Sequence, residues 1–317
     1  MIIIKVLAAA LAAIGRHGTI AVALSIFAGT LIPGLAPALK PWLGETIVTL
    51  LALAFLRVEP SALGILARRP ALVIATAAWV VVVTPVLLAT TFLALRLNHW
   101  LPDLYFILIL QSCAPSLMSS PAMAALIGVD VALTLASLLL CTALAPLSAS
   151  LFTHIFLGNT LMEPYAFGAK LFLIIAGSAF AAAIGRRIAG DDRINAQREV
   201  IDGLSVLGMF IFAAAAMDGV LAHFVARPAF VLGLTALTFL ISLGMMVITA
   251  LVFLNAGRER AFAIGILTGN RNLGLMMTAV GFAVPDRAWL YFGLAQFPIY
   301  LLPLLLKPLA RRLIKKR

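Results

Sequence analysis

The chain alternates long apolar runs with short clusters of proline, glycine and charged residues. A helix needs about 20 apolar residues to cross the hydrocarbon core of a bilayer, and the intervening clusters mark its ends. On that rule the pattern predicts ten spans, at 18–36, 41–57, 70–95, 103–127, 130–154, 165–186, 200–220, 228–254, 260–283 and 287–306. Five fill 18–154 and five fill 165–306, with 155–199 carrying a linker and the sixth span. The segment 1–17, apolar with Lys5 and Arg16, reads as an interfacial helix, and 307–317 reads as a basic cytoplasmic tail.

Composition agrees with this pattern. Of 317 residues, 63% are hydrophobic and 11% charged, whereas soluble domains are about half apolar and about a quarter charged. The expected fold is an all-α polytopic membrane protein. Cys113 and Cys141 both lie inside apolar runs, so neither a disulfide framework nor a thiolate metal site is expected. The net charge of +11 does not point to nucleic acid, because the basic residues sit between and beyond the apolar runs rather than on one amphipathic face.

Those basic residues sort by topology. With ten spans, one side collects Arg57, Arg68, Arg69, Arg186, Arg187, Arg193, Arg198, Arg258, Arg260 and the basic residues of both termini; the other collects only Lys40, Arg96, Arg227 and Arg287. The positive-inside rule then places both ends in the cytoplasm of an integral protein, of bacterial inner-membrane type.

An internal repeat fits the same division. Arg69-Pro70-Ala71-Leu72-Val73 opens the third span and Arg227-Pro228-Ala229-Phe230-Val231 opens the eighth. The same spacing of about 158 residues relates Gly128-Val129-Asp130 to Val284-Pro285-Asp286. Five spans per half is odd, so the second half is expected to be inverted. Secondary transporters are commonly built this way, with their sites near the midplane where matching helices are interrupted.

Matching interruptions are present. Span four contains Ser112-Cys113-Ala114-Pro115-Ser116 and then Ser119-Ser120-Pro121; span nine contains Thr268-Gly269-Asn270-Arg271-Asn272-Leu273-Gly274. Pro115 and Pro121 remove backbone donors, while Gly269 and Gly274 permit close approach or unusual torsions. Arg271 is the most informative residue, since an arginine at the centre of a span costs about 2.5–3.5 kcal/mol even on insertion scales and faces a protected polar environment when present.

The stretch from Cys113-Ala114-Pro115-Ser116 to Gly128-Val129-Asp130-Val131-Ala132-Leu133-Thr134, with Arg271-Asn272-Leu273-Gly274-Leu275, resembles the bile acid:sodium symporter superfamily. The resemblance implies ten spans in two inverted five-helix repeats, with spans four and nine unwound and crossing. It also implies a panel from spans one, two, six and seven, and a core from spans three to five and eight to ten. The implied function is secondary transport of organic anions by alternating access.

The sodium positions depart from that pattern. The family's ninth-span glutamate falls on Leu267, its glutamine on Arg271, its third-span glutamine near Val80, and its fourth-span Ser-Asn pair on Ser120-Pro121. Ser119, Ser120 and Thr134 retain at most part of one ion site. Arg271 is expected either to supply the charge that sodium supplies in relatives, to hold a carboxylate bidentately, or to lock the crossover structurally.

The expected substrate-binding set is therefore Arg271, Asn270, Asn272, Thr268, Ser116, Ser119 and Ser120, with Pro115, Pro121, Gly269 and Gly274 shaping the crossover. Asn270 and Asn272 can instead satisfy unwound backbone, and the serines can serve packing. The partners expected are a small organic anion and the lipid bilayer, with Na+ or H+ as coupling ion and no cofactor or metal. Asp202 and Asp218 are further protonatable groups, and Trp42, Trp100 and Trp289 suit interface anchors. No Ser-His-Asp spacing, HExxH or phosphate loop points to an enzyme. A transporter-like receptor that binds without transporting is the alternative from another class.

Overall fold

The computed structural model describes residues 18–58, 68–158 and 163–314, together with Leu11 and Gly64. Apart from Leu11, the expected interfacial helix over 1–17 lies outside the described residues, as do residues 315–317 of the tail.

The described residues form helices and no named strand. Lipid offers no hydrogen bonds to an open backbone, so a chain this apolar must pair its amides internally, and helices do so within one segment. In chain order the helices are α1 (Gly18–Leu31), α2 (Leu35–Leu56), α3 (Pro70–Ala94), α4 (Pro102–Cys113), α5 (Ser120–Ile127), α6 (Val131–Leu157), α7 (Pro164–Ala189), α8 (Arg198–Ala226), α9 (Pro228–Val252), α10 (Arg258–Gly269), α11 (Leu273–Val280) and α12 (Asp286–Pro308), after which the last helix continues to Ile314.

Among the described residues seven of these, α2, α3, α6, α7, α8, α9 and α12, are long and apolar enough to cross a membrane. The protein is an all-α integral membrane protein. The three other apolar stretches differ for local reasons. Helix α1 has 14 residues, short of the roughly 20 required; the stretches expected at 103–127 and 260–283 are each divided into a helix of 12 residues and one of 8.

Prolines set many of the starts. Pro70, Pro102, Pro164 and Pro228 each occupy the first position of a helix, where the missing amide is not needed and the ring fixes a helical φ.

The chain divides into two compact units, one of residues 1–58 and 174–232 and the other of 59–173 and 233–317. In the first, α1 meets α8 where Gly29 lies so close to Ala214 that a Cβ would fall 2.3 Å from its carbonyl oxygen. Small residues allow such approach between helices in lipid, where dispersion and polar contacts drive association. Lys40 pairs with Asp218 at 2.8 Å, Arg57 pairs with Asp202, and Arg186 donates to the Leu56 and Val58 carbonyls at 2.6 and 2.8 Å. Asp202 and Asp218 thus sit in ion pairs. In the second unit, α6 is capped by Asp130, whose carboxylate accepts from the Leu133 amide at 2.9 Å and faces Arg69 at 3.6 Å.

Candidate functional site

The site is a crossing of two broken helices within the second unit. Helix α4 stops because Pro115 has no amide and forces Ala114 into extended torsions, φ −64° and ψ 143°. Helix α10 stops at Gly269, after which Asn270 is extended at φ −105° and ψ 101°. The two non-helical segments run antiparallel past each other and form a β-bridge between Ser116 and Arg271. The Leu117 amide donates to the Asn270 carbonyl at 2.9 Å and the Asn272 amide to the Pro115 carbonyl at 2.8 Å. Each break therefore satisfies backbone groups that the other exposes, which is what tolerates irregular backbone inside a membrane protein.

Gly269 is required for the packing of α10 on α9. A Cβ there would lie 2.6 Å from the Ser242 carbonyl oxygen and 2.2 Å from Met246 Cγ. Gly274 is buried in the first turn of α11, where its carbonyl accepts from the Thr278 hydroxyl at 2.9 Å. Pro121 occupies the first turn of α5 and so begins that helix rather than ending α4.

Arg271 is 4% exposed. Its Nη1 donates to the Ala114 carbonyl at 3.0 Å and to the Val80 carbonyl at 3.1 Å. The first acceptor is released by the Pro115 break. The second is released by a π-helical turn over Trp79–Val83, in which the Thr84 amide donates back to Trp79 instead of to Val80. The next residue is Pro85, which has no amide, so the Val80 carbonyl is left for the guanidinium. Single π turns are uncommon and recur at functional sites.

The rest of the guanidinium is unmatched. Among the described residues Arg271 Nε and Nη2 have no hydrogen-bond partner, and neither do Ser116 Oγ, Ser120 Oγ or Asn270 Oδ1, all of them buried. No described carboxylate forms an ion pair with Arg271. Removing a charge from water costs several kcal/mol, and a hydrogen bond to a charged group returns about 1.5–3 kcal/mol. The guanidinium thus has buried donor capacity that the described residues leave unused.

The other expected site residues divide by what they touch. Asn272 caps α11, its Oδ1 accepting from the Leu275 amide at 3.1 Å, and Asn270 Nδ2 donates to the Ile266 carbonyl at 2.8 Å. Thr268 and Thr134 bond back to their own helices, to Ile264 at 2.9 Å and Asp130 at 2.8 Å. Ser119 is partly exposed just before α5. Leu267 is fully buried in an apolar cluster with Ala77, Val80, Val81, Leu138 and Cys141. Cys113 and Cys141 are buried free thiols, and among the described residues no His, Cys, Asp or Glu group is arranged to hold a metal.

Two polar contacts add to the sequence reading. Gln111 and Tyr291 are both buried, and the tyrosine hydroxyl donates to Gln111 Oε1 at 2.5 Å. Trp79 Nε1 donates to the Thr249 hydroxyl at 2.9 Å. Gln111 in an apolar run was a visible signal, whereas its partner follows only from the fold. Trp42 and Trp100 are exposed, but Trp289 is 7% exposed and packs on Phe282 and Phe292; an interface-anchor role for it is therefore corrected to a packing one, because its flanking aromatics cover it. No protein-family model matches the chain, and no curated protein matches it.

Proposed function

We propose that the protein is a secondary transporter of organic anions, built like the bile acid:sodium symporters, in which Arg271 stands in for a bound sodium ion. The observation that carries this is the guanidinium at the crossing of the two breaks, holding the Ala114 and Val80 carbonyls while Nε and Nη2, buried beside them, have no partner. A planar fork with two free donors suits a carboxylate.

Several features support the reading. The two breaks are built alike, each with a 12-residue helix before and an 8-residue helix after that ends at a left-handed glycine, Gly128 and Gly281. Arg69 and Arg227, ahead of the repeated Pro-Ala strings, share unusual torsions of φ −140°, ψ 53° and φ −144°, ψ 67°. These likenesses are what a ten-span inverted repeat would produce. The first compact unit holds the expected spans one, two and seven with most of the sixth, and the second holds spans three to five, nine and ten with most of the eighth, close to the panel and core of such a construction. Leu267 and Val80, which stand at glutamate and glutamine positions of the symporter pattern, pack together in an apolar cluster, so the chain offers carbon where sodium would need oxygen.

Uptake of a panel of organic carboxylates into proteoliposomes, under independently set sodium and proton gradients, tests this. We expect uptake to be the same with sodium or choline outside, and to fall by about tenfold or more in Arg271→Gln, the scale of losing one charge-assisted hydrogen-bonded contact. A steep sodium requirement in the wild type would overturn the substitution of Arg271 for the ion. Saturable binding with no counterflow would replace transport by a receptor function.

A further inference from the structure

We propose that the second unit carries a binding site for one anionic phospholipid, with an acyl chain in a groove between α9, α10 and α12 and the phosphate on Arg258. The groove encloses about 410 Å³, within the roughly 300–1,000 Å³ of ligand pockets. Its walls are Met246, Val247 and Leu251 of α9, Phe262 and Gly265 of α10 and Leu306 of α12. Val247 and Leu251 are exposed, so the groove is reached from the side that faces lipid. Gly265 lets α9 and α10 approach closely beside the groove, since a Cβ there would sit 2.8 Å from the Met246 carbonyl oxygen.

Arg258 is the one charged residue lining the groove, and it is exposed as the first residue of α10. Among the described residues it makes no ion pair. Its neighbours in sequence are Glu259 and Arg260, and the latter donates to the Ala256 carbonyl at 3.3 Å. A basic head at the rim of an otherwise apolar slot matches an amphipathic anion: the chain removes the groove from lipid contact elsewhere, and the phosphate meets the guanidinium at headgroup level. A soluble anion would leave the apolar walls unused, and a zwitterionic lipid would bring a second, repelling charge to Arg258. Met246 links this groove to the crossing, because the same side chain lies against Gly269. The inference stands on the membrane fold and the groove and does not require that the protein transports.

Native mass spectrometry of the detergent-solubilised full chain, titrated with phosphatidylglycerol, with phosphatidylcholine of the same acyl chains, or with glycerol 3-phosphate, tests it. One phosphatidylglycerol should be retained preferentially. Arg258→Gln should weaken that lipid about fivefold, the ratio that corresponds to about 1 kcal/mol per basic residue at a membrane surface, while leaving phosphatidylcholine unchanged and with Arg258→Lys restoring the preference. Ala250 of α9 also lines the groove; Ala250→Trp should therefore fill it and reduce retention of both lipids, and Leu251→Phe serves the same end from an exposed position if the tryptophan variant does not fold. Equal retention of the two lipids, indifference to Arg258→Gln, indifference to groove filling, or glycerol 3-phosphate binding as well as the lipid would each overturn the site.

Discussion

At the scale of single residues, the crossing depends on side chains that are small or absent as much as on the polar ones. Gly269 has Met246 and a Ser242 carbonyl where a Cβ would go, so Gly269→Ala must displace α9 or α10. We expect it to lower stability by about 1–3 kcal/mol, read as an earlier thermal unfolding midpoint in detergent; an unchanged midpoint would show that the packing there is looser than the distances imply. Residues of this kind are legible from sequence only in part. Arg271 stands out because a charge in an apolar run is expensive wherever it goes, and Gly269, two residues before it, ends α10. What Asn272 does, by contrast, depends on its Oδ1 reaching the Leu275 amide, and asparagine next to a break serves a cap or a ligand equally well by composition. The pairing of Gln111 with Tyr291 is less legible still, because the two lie far apart in the chain.

At the scale of elements, proline explains more than where helices begin. Pro85 lies inside α3, two residues after the π turn. In the structure it has a specific consequence: with the Thr84 amide taken by Trp79 and residue 85 lacking one, the Val80 carbonyl becomes an acceptor for Arg271. Pro85→Ala supplies the missing amide and should satisfy that carbonyl within α3. The stability lost on Arg271→Gln should then be smaller in the Pro85→Ala background than in the wild type, with a coupling of about 0.5–3 kcal/mol in a thermal-unfolding double-mutant cycle. Strict additivity of the two changes would detach the π turn from Arg271. Hydropathy could not have shown this link, since it registers Val80 as one more apolar residue and is blind to which carbonyls lack an amide. It was better suited to finding apolar stretches, and the seven long helices lie on stretches it marked, with ends differing by up to six residues.

At the scale of the whole molecule, the asymmetry of charge makes a topological expectation. Arg258 and Arg260 belong to the basic side and Arg96 to the other. On a background without Cys113 and Cys141, a cysteine at His99 should react with a membrane-impermeant maleimide in intact cells, and one at Asn255 only after permeabilisation; the reverse pattern would invert the assignment. The crossing also has an electrical consequence. Helices α4 and α10 end there and α5 and α11 begin close by, so about half a negative charge at each of two C-termini is met by about half a positive charge at each of two N-termini. The guanidinium charge is left over for an anion, and being tethered to the backbone it cannot leave when the site opens. In the transport cycle proposed above, the anion would then cross with its own charge uncompensated by a departing cation, so that the membrane potential would act on it with about 2.3 kcal/mol per charge for every 100 mV. Such a carrier would be driven by voltage in place of an ion gradient.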